Sequence, residues 1–172
     1  VSAGKFDLIP AKLLELGVEQ VFHKLALKPG KPLWFGVKHA DKRSVLVFGL
    51  PGNPVSSFVC FELFVRPAIA NMSGRGFVSL PIVRARLNHA FDHAGGRVAY
   101  LPAVVSYRES ELRAGHDRTA LGSADDDDAG SHLSLGQSAE FAASLLPWQG
   151  SADLATLARA NGLVRFPAEK LH

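Results

Sequence analysis

Phe48-Gly49-Leu50-Pro51-Gly52-Asn53-Pro54-Val55-Ser56 joins an apolar run to a helical one through a turn built almost wholly of Gly, Pro and Asn. Ser44-Val45-Leu46-Val47-Phe48 reads as a short buried strand. Val55 to Met72 carries apolar residues at helical spacing, with Pro54 placed for the first helical turn. Strand, tight turn and helix in that order predict an α/β arrangement. Pro51 and Pro54 stiffen the link, while Gly49 and Gly52 let the backbone come close to a ligand. The N–H groups at the start of such a helix supply donors and a positive dipole end, which suits a phosphate. The same turn serves equally well as a bare strand-to-helix link.

Upstream of that turn, Pro10 to Leu16 fits a short helix ended by Gly17, and Glu19 to Leu27 alternates as a strand. Lys28-Pro29-Gly30-Lys31-Pro32 is a stiff loop, Leu33 to Val37 a second strand, and His39 to Arg43 a polar hairpin turn. Downstream of Ser73-Gly74-Arg75-Gly76 the pattern changes to short alternating segments, Ile82 to Leu87, Arg97 to Leu101 and Ala103 to Tyr107. These predict a small all-β domain. The reading therefore divides the chain into an α/β half at 1–74 and a small barrel-like β half at 75–172. Ser151 to Ala160 reads as a short helix and Gly162 to Phe166 as a further strand, with no clear closing strand at Leu171-His172. Asp125-Asp126-Asp127-Asp128 fits an acidic surface loop better than a metal site, because four consecutive carboxylates cannot all turn toward one ion.

With 19 Lys and Arg against 16 Asp and Glu, the net charge of +3 gives no argument for nucleic acid. The distribution says more. Lys5, Lys12, Lys24, Lys28, Lys31, Lys38, Lys42 and Arg43 crowd the first quarter against only Asp7, Glu15, Glu19 and Asp41. Such a region favours an anionic ligand, or is a solvated basic surface. The single cysteine, Cys60, excludes an intrachain disulfide and a cysteine metal cluster, and points to a reducing cytoplasm. The most apolar segment is interrupted by Glu62, Arg66 and Pro67, which argues against a membrane span. The chain opens at Val1-Ser2-Ala3-Gly4 within what reads as a motif, so a fragment of a longer protein is expected.

The candidate chemistry concentrates in three places. Lys28 and Lys31 share a loop whose prolines limit the entropy lost on gripping an oxyanion. If the preceding strand continues, Lys24 alternates onto the same face as Lys28 and three ammonium groups converge. Asp7 precedes Pro10 and reads either as a helix cap or as a Mg²⁺ ligand, since Mg²⁺ bound with phosphates takes one or two carboxylates. Trp148-Gln149-Gly150-Ser151 is a polar turn whose spacing favours a structural role. The seven histidines show no paired metal spacing, and no nucleophile is evident.

The order Val1-Ser2-Ala3-Gly4-Lys5-Phe6-Asp7, Phe22 to Pro32, and Gly49 to Ser56 resembles the molybdopterin molybdenumtransferase family. The likeness extends to Trp148-Gln149-Gly150-Ser151-Ala152-Asp153-Leu154 and to Leu157 through Leu163, and so covers nearly the whole chain as a C-terminal fragment. It implies the second part of a three-layer α/β pterin-binding domain followed by a barrel-like β domain. It also implies insertion of molybdate into adenylylated molybdopterin, with release of AMP in a Mg²⁺-assisted step, by a cytoplasmic homodimer supplied by an upstream molybdopterin adenylyltransferase. By resemblance, Asp7 holds the metal or assists the exchange, Lys24 and Lys28 act in catalysis, and Lys31 contacts the anionic groups. Ser2 lines the molybdate pocket, and Gly49, Pro51, Gly52, Asn53, Pro54 and Ser56 shape the pterin phosphate site. Ser151 reaches the oxyanion. Where family members carry a basic residue this chain has Pro102, which removes one oxyanion contact. The fragment alone is expected to be inactive. A related adenylyltransferase and a non-catalytic scaffolding module are the alternative readings.

Overall fold

The computed structural model describes residues 1, 7–41, 43–76, 80–108 and 140–169. Ser2 and the acidic run Asp125 to Asp128 therefore lie outside the described residues. The chain enters with α1 (Ile9–Glu15), which has Pro10 in its first turn and ends before Gly17 at φ 75°. β1 (Glu19–His23) pairs antiparallel with β3 (Trp34–Ala40), which pairs antiparallel with β4 (Arg43–Gly49). The β3–β4 hairpin turns through Asp41 at φ 45°, a conformation that Asp tolerates better than most residues. Phe22, Phe35 and Phe48 form a ladder across the three strands, with ring centroids 5.3 Å and 4.7 Å apart. Trp34 is fully buried beneath this sheet, its indole N–H donating to Gln20 Oε1 at 2.9 Å. The expected burial of Ser44 to Phe48 is only partial, because Val45 stays 50% exposed on the open face of the sheet.

The expected strand from Glu19 to Leu27 does not continue. Lys24 adopts φ 67°, its N–H donates to Leu33 O at 3.0 Å, and the chain leaves the first sheet. It then re-enters as β2 (Leu27–Lys28) in a different sheet, parallel to β6 (Val98–Arg108). A left-handed residue between the two strands removes the two-residue alternation, so Lys24 and Lys28 no longer share a face.

The turn after β4 opens a helical rod over Pro54–Met72. It consists of α2 (Pro54–Cys60), a π-helical turn over Phe61–Val65, and α3 (Arg66–Met72). The wide turn falls just ahead of Pro67, whose ring has no N–H for the preceding ladder and needs room against the earlier turn. Glu62 and Arg66 bridge this stretch with an ion pair of 2.7 Å. By length and composition alone the rod is long and apolar enough to cross a membrane, despite Glu62, Arg66 and Pro67. Its Val55, Val59 and Cys60 are fully buried in the core of the chain.

The second sheet runs β2-β6-β7-β5, with β7 (Glu140–Leu145), β5 (Ala85–Leu87) and β8 (Gly162–Phe166), the last pairing with β6. β6 is one long strand where two were expected. Pro102 sits at the changeover, where the pairing of β6 with β8 over Ala99 to Ala103 gives way to pairing with β7 from Ala103 onward. Its carbonyl still accepts from Leu146 N–H at 3.0 Å, so the missing N–H interrupts little. The fold is thus mixed α/β, and among the described residues no barrel closes.

One core cluster joins the two halves: Leu27, Leu33, Val55, Val59 and Cys60 pack with Val98, Tyr100, Trp148, Leu157 and Leu163, while a second gathers Ala99, Leu101 and Phe166. Burial pushes the Cys60 thiol up to about 11, which keeps it protonated at neutral pH.

Candidate anion-binding cleft

The Gly49 to Ser56 turn is held by its neighbours rather than left open for a ligand. Gly49 ends β4 opposite Trp34, and a Cβ there would collide with Val1, so this glycine serves packing. Val1 N donates to Leu50 O at 2.8 Å, which places residue 1 beside the turn. Ser57 Oγ donates to Pro51 O. At the head of α2, Pro54 has no N–H, and the Val55 N–H already donates to Ser151 O at 3.1 Å. Asn53 Nδ2 reaches Ser151 Oγ at 2.6 Å. The expected set of open helix N–H donors is therefore reduced, because the Trp148 to Ser151 turn occupies the head of the helix.

That turn is organised by Asp153, which caps α4 (Leu154–Arg159). Its carboxylate accepts from Thr156 N–H at 2.9 Å and from Gln149 N–H at 3.2 Å. Hydrogen bonds from Thr156, then from Gln149, hold this carboxyl below its ordinary value. Asp153 N in turn donates to Gly150 O at 3.0 Å.

Between these pieces lies a cleft of about 590 Å³. One wall is the loop from Leu27 to Pro32, where Gly30 at φ 123° has no room for a Cβ against Cys60 Sγ and Leu27 Cδ2, each 2.8 Å away. A second is the turn of Pro51, Gly52 and Asn53 with Ser56 behind it, and the third combines Arg97 with Trp148, Gln149, Gly150 and Ser151. The cleft thus gathers Lys28, Lys31, Pro51, Gly52, Asn53, Ser56 and Ser151 from the expected set. Lys28 and Lys31 are exposed, whereas Arg97 is half-buried.

Four expected residues are not part of this lining. Lys24, left-handed at φ 67° where the chain leaves the first sheet, is absent from the lining, which corrects the expected convergence of three lysines. Gly49 is packed, Pro54 starts the helix outside the lining, and Asp7 lies at the entry to α1, where its Oδ1 accepts from Ile9 N–H at 3.2 Å. Arg97 was missed. It is a lone arginine after Gly95-Gly96, and only the parallel pairing of β2 with β6 brings it to Lys28. Pro102, where a basic contact was expected to be lost, is fully buried and has no access to the cleft. Among the described residues no carboxylate lines the cleft, and no three His, Cys, Asp or Glu side chains come together to hold a metal ion.

Residues 1–71, which carry the Lys28 to Pro32 loop and the Gly49 to Ser56 turn, match the family model described as "Probable molybdopterin binding domain". The chain is also 47% identical over 107 residues to a molybdopterin molybdenumtransferase of Synechocystis sp., covering 62% of this chain and 24% of that protein. Over these parts the chain is similar to molybdopterin molybdenumtransferases. The Bacillus subtilis molybdopterin molybdenumtransferase is 35% identical to it over 114 residues, or 66% of this chain and 26% of that one. The crystal structure of the molybdopterin biosynthesis protein MoeA from Pyrococcus horikosii superposes with a TM-score of 0.57 at 25% identity, over 94% of this chain and 31% of that chain. The chain spans about a quarter of the length of the curated proteins it matches.

Proposed function

We propose that the cleft receives the anionic groups of an adenylylated molybdopterin and of molybdate, and that the protein inserts molybdate into the pterin with release of AMP, a step of molybdenum cofactor biosynthesis. The observation that supports this most directly is the gathering of Lys28, Lys31 and Arg97 on one cleft that no described carboxylate lines. Cations placed beforehand around an oxyanion stabilise the charge that develops as a phosphoanhydride is cleaved. Lys28 and Lys31 bind and orient the phosphates. Ser151, whose hydroxyl accepts from Asn53, stands at the opposite wall as a further polar contact.

The rest of the reading comes from the resemblance. It comprises a homodimer with its site between subunits, an upstream adenylyltransferase, a cytoplasmic location, and a longer protein. That protein would complete the three-layer pterin domain before residue 75 and the barrel after it. For the Mg²⁺ that the resemblance implies, the described residues offer no cluster of three His, Cys, Asp or Glu side chains, and Asp7, the carboxylate expected to hold it, is not in the cleft lining.

Titration calorimetry of the full-length protein with adenylylated molybdopterin and molybdate, followed by assay of AMP, tests the proposal. Binding with molybdate-dependent AMP release is expected. Absence of both ends the transferase reading, and binding without molybdate-dependent AMP release leaves a scaffold in its place.

A further inference from the structure

Trp148 stands in the wall of the cleft between two backbone anchors. Leu146 N, just before it, donates to Pro102 O at 3.0 Å, and Gln149 N, directly after it, donates to the Asp153 carboxylate at 3.2 Å. Its side chain packs against both core clusters, that of Val55 and Val59 and that of Leu101 and Phe166. Held by backbone and core together, this large ring has little freedom to lose when a ligand arrives. The indole nitrogen is buried and has no hydrogen-bond partner among the described residues. Buried indole N–H groups ordinarily find an acceptor, so packing rather than a polar contact fixes this ring. Because the nitrogen is sealed, the surface that the half-buried ring presents to the cleft is carbon.

Such a surface cannot grip a phosphate. The cleft, at about 590 Å³, has the size of sites that enclose ring-bearing ligands, ~300–1,000 Å³, and Leu27, Pro29, Pro32 and Pro51 extend the apolar surface of Trp148. Lys28, Lys31 and Arg97 carry the charge of the same lining. We propose that Trp148 is a stacking platform that makes the cleft specific for a phosphate joined to a planar heteroaromatic ring, with the ring on the indole and the phosphate on the cations. Every such ring has a π face, so the platform selects for a ring rather than for the hydrogen-bonding edge of one ring. A nucleotide base and a pterin both meet that description. The proposal rests on the reading of the cleft as an anion site and adds a residue for the ring, which the cations do not hold.

Calorimetric titration of the full-length protein with AMP, with neopterin monophosphate and with ribose 5-phosphate tests it, since the last has the phosphate and no ring. At least one ring-bearing phosphate is expected to bind ~tenfold more tightly than ribose 5-phosphate, as one ring stacked on an aromatic side chain allows. Tighter AMP assigns the platform to a nucleotide base and tighter neopterin monophosphate to a pterin, and either supports it. Trp148→Leu is expected to remove the preference while changing ribose 5-phosphate by less than about threefold, because that ligand has nothing to stack. Trp148→Phe, which keeps a ring, is expected to retain most of the preference. Binding of the preferred ligand should also quench an indole emission that Trp148→Phe lacks, and this comparison stands in if the leucine variant does not fold. If ring-bearing and ringless phosphates bind equally, or if Trp148→Leu keeps the preference, the platform is overturned and the anion site stands. A quench undiminished in Trp148→Phe overturns it likewise. If the unaltered protein binds none of the three, both the site and the platform fall.

Discussion

The wall of the cleft formed by Leu27 to Pro32 and Pro51 to Ser56 differs in kind from the wall formed by Arg97 and Trp148 to Ser151. The first is assembled from local devices: Gly30 fits where no Cβ can, and prolines bracket the loop and head the helix. The second exists only because distant segments dock. Ser151 reaches across to Asn53 and Val55, nearly a hundred residues away in sequence, and Arg97 arrives through pairing of β6 with β2. The contrast teaches that loop stiffness places the lysines, whereas tertiary hydrogen bonds place the groups that face them.

The largest effect is expected at the pivot of the first wall. Gly30→Ala puts a Cβ at 2.8 Å from both Cys60 Sγ and Leu27 Cδ2, at a backbone angle that L residues rarely adopt. Strain and overpacking together should cost about 3 kcal/mol, read as a lowered denaturant midpoint at unchanged slope. Unchanged stability would mean that the loop is not held as described.

Lys28→Ala separates binding from folding. Pyrophosphate affinity should fall about tenfold, or ~1.4 kcal/mol, while stability shifts by less than about 0.5 kcal/mol, because the side chain is exposed and unpaired among the described residues. A large loss of stability would recast Lys28 as structural.

Asn53→Ala probes the seam between the walls. Losing its bond to Ser151 should cost about 1 kcal/mol and weaken ligand binding through displacement of the Ser151 turn. A double-mutant cycle with Ser151→Ala should show that the two changes are not additive, and additivity would deny the contact.

The smallest expected effect is a pH dependence in the second wall. Asp153 has its folded-state carboxyl below the ordinary value, so its contribution is present above the unfolded carboxylate pKa and is lost as pH falls through the folded one. Melting temperature should therefore drop slightly more steeply in mild acid for the native protein than for Asp153→Asn. Parallel acid limbs would remove Asp153 as the organiser of the turn.

Much of the fold is legible without coordinates. The Gly17 stop, the β3–β4 hairpin, the strand-to-helix link at Pro54 and the late strand β8 follow from turn chemistry and periodicity, which act over a few residues. The failures share one cause. Glu19 to Leu27 alternates as a strand should, yet Lys24 takes a left-handed conformation because Leu33 and the second sheet claim the chain on either side of it. Arg97 to Leu101 and Ala103 to Tyr107 read as two strands because of Pro102, yet a change of partner at that residue lets β6 run through it.

Taken by itself, the sequence determined the stiff lysine loop, the Gly-Pro-Asn turn and the polar Trp148 to Ser151 segment, because each depends on backbone angles and charges that neighbouring residues set. Only the tertiary structure decided that these meet in one cleft, that Lys24 and Gly49 are not in its lining, and that Arg97 is. Those outcomes depend on which strands pair and which helix N–H groups are already taken. Such long-range hydrogen bonds and packing leave no mark at short sequence spacing.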